Sequence, residues 1–123
     1  CSIAQRAALT ALTSPKEASK AMANAYYQRR QLVYDLLKKI PGIEVNMPQG
    51  AFYFFPDVSS YFGKKGISDA ADLCIYILEE SHVSLVSGEG FGEPNCLRLS
   101  YAASEEDLKI ALARITKALE KLA

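Results

Sequence analysis

Strict alternation of apolar and polar residues occurs from Cys96 to Tyr101, where Leu97, Leu99 and Tyr101 fall on one side and Cys96, Arg98 and Ser100 on the other. That period of two predicts a half-buried strand with Arg98 in its middle. Elsewhere the helical period dominates. Residues 2–12 form an alanine-rich segment with Ile3, Ala7, Ala8 and Leu12 on one face. A longer stripe, made by Ala21, Met22, Ala25, Tyr26, Val33, Leu36, Leu37 and Ile40, predicts a helix over 15–40. Leu73, Ile77 and Leu78 face inward from a third helix that ends near residue 80, and Leu108, Leu112, Ile115, Leu119 and Leu122 stripe a last one.

Capping and turn residues set the expected boundaries. Ser14, Pro15 and Glu17 read as N-cap, first helical residue and closing member of a capping box, and Pro41-Gly42 as the stop of the same helix. Lys38 and Lys39 complement the negative end of its dipole, and with Arg29-Arg30 they read as a solvated face. Ser68 is the expected cap of the third helix, with Asp69 and Asp72 in its first turns; Ser104 caps the last, with Asp107 completing an acidic capping box. Between helices, 43–45 reads as a short strand, 46–50 as a turn in which Gly50 permits tight backbone approach, and 82–86 as a strand. The run Ala51-Phe52-Tyr53-Phe54-Phe55 reads as a central strand buried on both faces. The order helix, helix, strand, strand, helix, strand, strand, helix predicts a two-layer α/β (α+β) sandwich with a small mixed or antiparallel sheet covered by helices.

At 123 residues the chain is the size of one domain. Its 14 basic residues balance 14 acidic ones, which excludes the strong charge bias of a nucleic-acid or anionic-membrane binder. No apolar run approaches the roughly eighteen residues of a membrane span and no leader pattern is visible, so a soluble chain is expected. Cys1, Cys74 and Cys96 are odd in number and contain no CxxC pair, which predicts reduced thiols in a cytoplasm-like compartment and no metal site. His82, the one histidine, has no partner at the spacing of a triad or metal pair.

Two features remain as candidate chemistry. Gly88-Glu89-Gly90-Phe91-Gly92 invites a phosphate-loop reading, but Glu93-Pro94 and a strand follow where a helix is required. Arg98 carries a planar, permanent charge shaped for a carboxylate. By pattern alone it is equally an edge arginine in solvent or in a structural ion pair.

The wider wording decides between them. Ser87-Gly88-Glu89-Gly90-Phe91-Gly92, Leu97-Arg98-Leu99-Ser100-Tyr101-Ala102 and Ser104-Glu105-Glu106-Asp107-Leu108, in that order, resemble the C-terminal end of fold-type I, class I/II pyridoxal-phosphate-dependent aminotransferases, most nearly the aspartate aminotransferase group. Pro48-x-Gly50-Ala51-Phe52-Tyr53 and the segment from Ser2 through Gln5 to Ala8 are similar to further stretches of that family. Ser87 stands where the family's loop usually has proline.

The resemblance implies an aminotransferase small domain over 13–123, preceded by a connecting helix over 1–12 that arrives from a large domain lying upstream of Cys1. It implies that Arg98 binds the substrate α-carboxylate. It further implies a parent enzyme that moves an amino group from aspartate to 2-oxoglutarate through pyridoxal phosphate, working as a cytoplasmic homodimer on amino-acid and oxo-acid substrates. Alanine, aromatic or diaminopimelate donors are the alternatives within the family, and a non-catalytic amino-acid-binding module the alternative outside it. Ser19-Lys20 lacks the G-x-R-x-G that follows the family's cofactor lysine and sits in a helical stripe. The chain alone is therefore expected to hold no catalytic lysine and no cofactor, and to be inactive.

Overall fold

The computed structural model describes residues 1–122; Ala123, the last residue of the expected 13–123 domain, lies outside the described residues. Its elements run α1 (Ser2–Thr13), α2 (Glu17–Leu37), β1 (Tyr53–Phe54), α3 (Ala70–Ser81), β2 (Val86–Ser87), β3 (Leu97–Ser100) and α4 (Glu105–Glu120), with single 3-10 turns at Ser59–Tyr61 and Glu89–Phe91. The predicted alternation sets the centre. Leu97, Leu99 and Tyr101 are buried while Ser100 is exposed, and β3 lies between its two neighbours in the order β1-β3-β2, antiparallel to both.

Phe54, Leu97, Leu99 and Tyr101 meet Val33 and Leu37 of α2, Leu73 and Ile77 of α3, and Leu112, Ile115 and Leu119 of α4 in one core. Helices cover this face of the sheet, so the expected α+β two-layer architecture is what forms, with an antiparallel sheet. Helix α4 is capped as its sequence demands: Ser104 Oγ accepts from the Asp107 N–H at 3.1 Å and donates to Asp107 Oδ2 at 2.6 Å. At the opposite end of the chain, residues 1–24 are exposed throughout, and Ile3 and Leu12 of α1 bury nothing. The stripe of α2 is accordingly buried only in its second half; Ala21 and Met22 face solvent.

Several boundaries differ from expectation, each for a local reason. Ser14 closes α1 instead of opening α2: its N–H donates to the Thr10 carbonyl at 2.9 Å, and Lys16 is the N-cap of α2 without a side-chain bond. The predicted capping box between Ser14 and Glu17 does not form. In α3 the cap is Asp69, not Ser68; its Oδ1 accepts from the N–H groups of Ala71 and Asp72 at 2.8 and 2.9 Å, a stronger arrangement than a hydroxyl offers. Leu78 is 48% exposed because it stands about 100° round the helix from the buried Ile77.

His82 does not begin a strand. It adopts φ 55° and ends α3 in a left-handed cap, its N–H on the Leu78 carbonyl, so pairing waits until Val86. Residues 43–45 make a single bridge, Glu44 to Asp57, in place of a strand. The aromatic run 51–55 is an edge, not a centre: only Tyr53–Phe54 pairs, Phe54 is 1% exposed, and Tyr53 is 36% exposed on the opposite face, which no helix covers, while Phe52, beside Tyr26 of α2, is 50% exposed at the end of the run. In the turn before it, Ala51 and not Gly50 takes the left-handed conformation, at φ 58°.

Candidate functional site: an arginine on the open face of the sheet

Alternation sends Leu97 and Leu99 into the core, so Arg98 must point to the other face. The register puts Val86 opposite it on β2, and Tyr53 opposite Ser100 on β1. Arg98 is half-buried there. Its guanidinium carbon lies 4.8 Å from the ring centre of Phe91 and 5.6 Å from that of Tyr53. Phe55 links the two rings edge-on, 6.0 Å from Tyr53 and 5.7 Å from Phe91.

The ion pair among the described residues is Lys121 with Glu80, on the helical side of the molecule; Arg98 is not part of any ion pair. A half-buried cation thus rests against two aromatic faces and forms no ion pair among the described residues. Chemically the arrangement suits a ligand carboxylate, which can take both N–H edges of the guanidinium in its own plane while the rings occupy the space about it.

Phe91 reaches the site because the turn before β3 folds back on it. The Gly88 N–H donates to the Cys96 carbonyl at 2.8 Å, Phe91 N–H to the Gly88 carbonyl at 2.9 Å, and Glu93 N–H to the same carbonyl at 3.1 Å. A Cβ at position 88 would overlap the Glu93 carbonyl oxygen and stand 2.7 Å from that of Cys96, so only glycine allows this return. Gly92, at φ 83°, ends the turn. These amides are tied to the chain's own carbonyls, and Glu89 N–H to Ser87 Oγ at 3.3 Å, so the bonds of this segment close the turn.

The other sequence candidates lie apart from Arg98. Lys20 is exposed on α2. Lys38 lies over Tyr34, Lys64 over Tyr61, and Lys65 bonds the Lys121 carbonyl. None of these four lysines contacts the Arg98 guanidinium, and an amine is what the aldehyde of pyridoxal phosphate requires. No group of three metal-ligating side chains converges among the described residues. Cys74 is a half-buried thiol pushed up to about 11 by burial and by nearby Asp69, and Cys96 is raised by burial and then by Asp57 and Glu93, so neither favours the reactive thiolate.

Away from Arg98, a cavity of about 390 Å³ opens between α2 and the 50–52 turn, walled by Tyr26, Tyr27, Arg30, Phe52 and Tyr101. Arg30 Nη1 donates to the Pro48 carbonyl at 2.9 Å, and Tyr101 OH to the Ala51 carbonyl at 3.0 Å. The first bond ties the turn to α2 and the second ties it to the end of β3. Burial raises the Tyr101 phenol, which keeps it protonated as a donor. Sequence reading found Arg98 but not its aromatic neighbours. The available signal was Phe91 itself, a large apolar residue isolated among glycines where no core stripe required it.

The family model described as "Aminotransferase class I and II" matches residues 1–115. The asparagine--oxo-acid transaminase of Streptococcus mutans is 43% identical over 118 residues, covering 96% of this chain and 30% of the relative. The aspartate aminotransferase of Geobacillus stearothermophilus is 42% identical over 119 residues, covering 97% of this chain and 30% of the relative. Among solved structures, the aspartate aminotransferase of Rhizobium meliloti superposes with a TM-score of 0.93 at 39% identity, over 99% of this chain and 32% of that one. The chain therefore spans about a third of the length of the proteins it matches. It belongs to the class I and II aminotransferase family.

Proposed function

We propose that residues 13–123 are the small domain of an aspartate-type aminotransferase, that residues 1–12 are the helix joining it to a large domain, and that Arg98 grips the α-carboxylate of the amino-acid substrate. The observation carrying the reading is the half-buried Arg98 guanidinium on the open sheet face, set against Tyr53 and Phe91 and free of any ion pair among the described residues. A partly buried guanidinium with no anion of its own is open to a ligand carboxylate that completes its hydrogen bonds.

In the parent enzyme, pyridoxal phosphate supplies the electron sink for moving the amino group. The lysine that carries it belongs to the rest of the protein, so this chain alone neither binds the cofactor productively nor catalyses. The work of this chain is orientation. Two parallel N–H···O bonds from Arg98 fix the substrate's carboxylate, and their energy favours closing the small domain over the cleft with water excluded. The parent acts as a homodimer in the cytoplasm; the free thiols of Cys1, Cys74 and Cys96 accord with that compartment.

Aspartate as donor and 2-oxoglutarate as acceptor are supported by relatives named aspartate aminotransferases, while the relative named for asparagine favours a different donor on the same scaffold. The test is Arg98→Ala in the full-length enzyme. The expected result is a fall in kcat/KM for aspartate of at least about tenfold, the scale of one charge-assisted contact. A smaller fall refutes the clamp, and a donor panel of aspartate, asparagine and alanine identifies the preferred substrate.

A further inference from the structure

Nothing in the reading of Arg98 as a clamp explains why two rings surround it. An arginine that must present its fork to a ligand has a long, rotatable side chain, and ordering it has an entropic cost that some neighbour must offset. The usual neighbour is a carboxylate, yet a carboxylate here would compete with the substrate for the same N–H edges. Aromatic faces do the holding without that competition. They attract the cation perpendicular to its plane and leave the edges free.

Geometry shows which ring carries this role. Tyr53 belongs to β1 and is fixed by strand pairing. Phe91 is nearer the guanidinium, at 4.8 Å, yet it stands on a 3-10 turn and is 52% exposed. So large an apolar side chain, half in solvent, contributes little to the core. Its place is nonetheless closely determined: Gly88 lets the turn fold onto Cys96, three backbone bonds close it, and Phe55 packs edge-on against the ring.

We propose that Phe91 is a positioning residue: its ring, opposed by Tyr53, holds the Arg98 guanidinium in the orientation that receives a substrate α-carboxylate, without itself engaging the donor's side chain. This inference rests on the reading of Arg98 as the carboxylate clamp. Because every amino-acid donor carries the same α-carboxylate, a residue acting through Arg98 lowers the efficiency of all donors by one common factor. A residue touching the donor's side chain does not.

The test uses the full-length, cofactor-loaded enzyme and the variants Phe91→Leu, Phe91→Tyr, Arg98→Ala and the Phe91→Leu/Arg98→Ala double, with L-aspartate and L-alanine as donors and 2-oxoglutarate as acceptor. Leucine keeps apolar bulk but removes the ring face; tyrosine keeps the ring. For Phe91→Leu the expected result is a loss of about threefold in kcat/KM, the scale of an exposed cation–π contact, equal for both donors and expressed mainly in KM. Phe91→Tyr restores the wild-type value, thermal unfolding of Phe91→Leu matches wild type, and in the Arg98→Ala background Phe91→Leu has no further effect.

The proposal is overturned if Phe91→Leu matches wild type, if its loss differs between donors, if Phe91→Tyr is as impaired as Phe91→Leu, or if the same loss persists without Arg98. A wild-type-like Arg98→Ala enzyme refutes the clamp reading itself. An impaired Arg98→Ala with an unaffected Phe91→Leu leaves the clamp standing and removes only the role of Phe91.

Discussion

Replacing Gly88 by alanine tests how firmly the 88–92 turn is bound to β3. The added methyl would overlap the Glu93 carbonyl oxygen, stand 2.7 Å from the Cys96 carbonyl oxygen and press within 3.1 Å of the Phe55 ring. Two of these neighbours are backbone, which cannot rotate away. Relief requires opening the turn, at the expense of the bonds from Gly88 N–H to Cys96, Phe91 N–H to Gly88 and Glu93 N–H to Gly88. At about 1 kcal/mol net for each bond, losing all three sets a ceiling of about 3 kcal/mol. Overpacking generally costs about 1–3 kcal/mol, so both figures point to about 2. With a urea m-value of about 2 kcal/mol/M, the midpoint falls by about 1 M. Gly90→Ala is the internal control, since a methyl group at that position meets nothing within 4 Å and the backbone there suits any L residue; it should stay within about 0.5 kcal/mol of wild type. A Gly88→Ala midpoint no lower than that of Gly90→Ala would show that the turn yields freely and does not hold Phe91 in place.

Two further outcomes follow from the helices. Asp69→Ala removes the acceptor for two N–H groups of α3 and should lower stability by about 1 kcal/mol, read as a drop of several degrees in thermal unfolding; Ser68→Ala should leave it unchanged, and the reverse order would restore serine as the cap. Burial and Asp69 raise the Cys74 thiol from 9.0 to about 11, so the native state holds its proton more tightly than the unfolded state. That contribution is complete below pH 9 and is lost as pH climbs toward 11, so urea midpoints should decline across pH 9–10 and decline less steeply in Cys74→Ala. Parallel profiles for the two proteins would exclude Cys74 as the source.

Periodicity that depends on one segment's own side chains was legible. The β3 alternation, the existence of all four helices and the Ser104 cap needed only spacing and capping chemistry, and the structure has them in place. Arg98 could be located in the same way, because one alternating segment fixes which way its middle residue points. Features decided by competition or by distant partners were not legible. Ser14 was claimed by the end of α1 before it could start α2, and Asp69 displaced its neighbour Ser68 because a carboxylate accepts two amides. The aromatic run 51–55 looks central until one knows that only one side of the sheet has helices on it. Phe91 and Tyr53 are far apart in the chain, and only pairing through β3 brings both to the same guanidinium.

Both outer strands of the sheet pair with β3 and not with each other, and β3 is the last of the three in the chain. On the ribosome, β1 and β2 therefore emerge with unpaired edges and keep them until residue 100 has cleared the exit tunnel. Joining β1 to β3 closes a loop of more than forty residues, a slow, long-range event compared with forming the helices. The aromatic segment around Phe54 is left uncovered during that wait. It is there that a nascent chain would need shielding by a chaperone, and there that a stalled one would begin to aggregate.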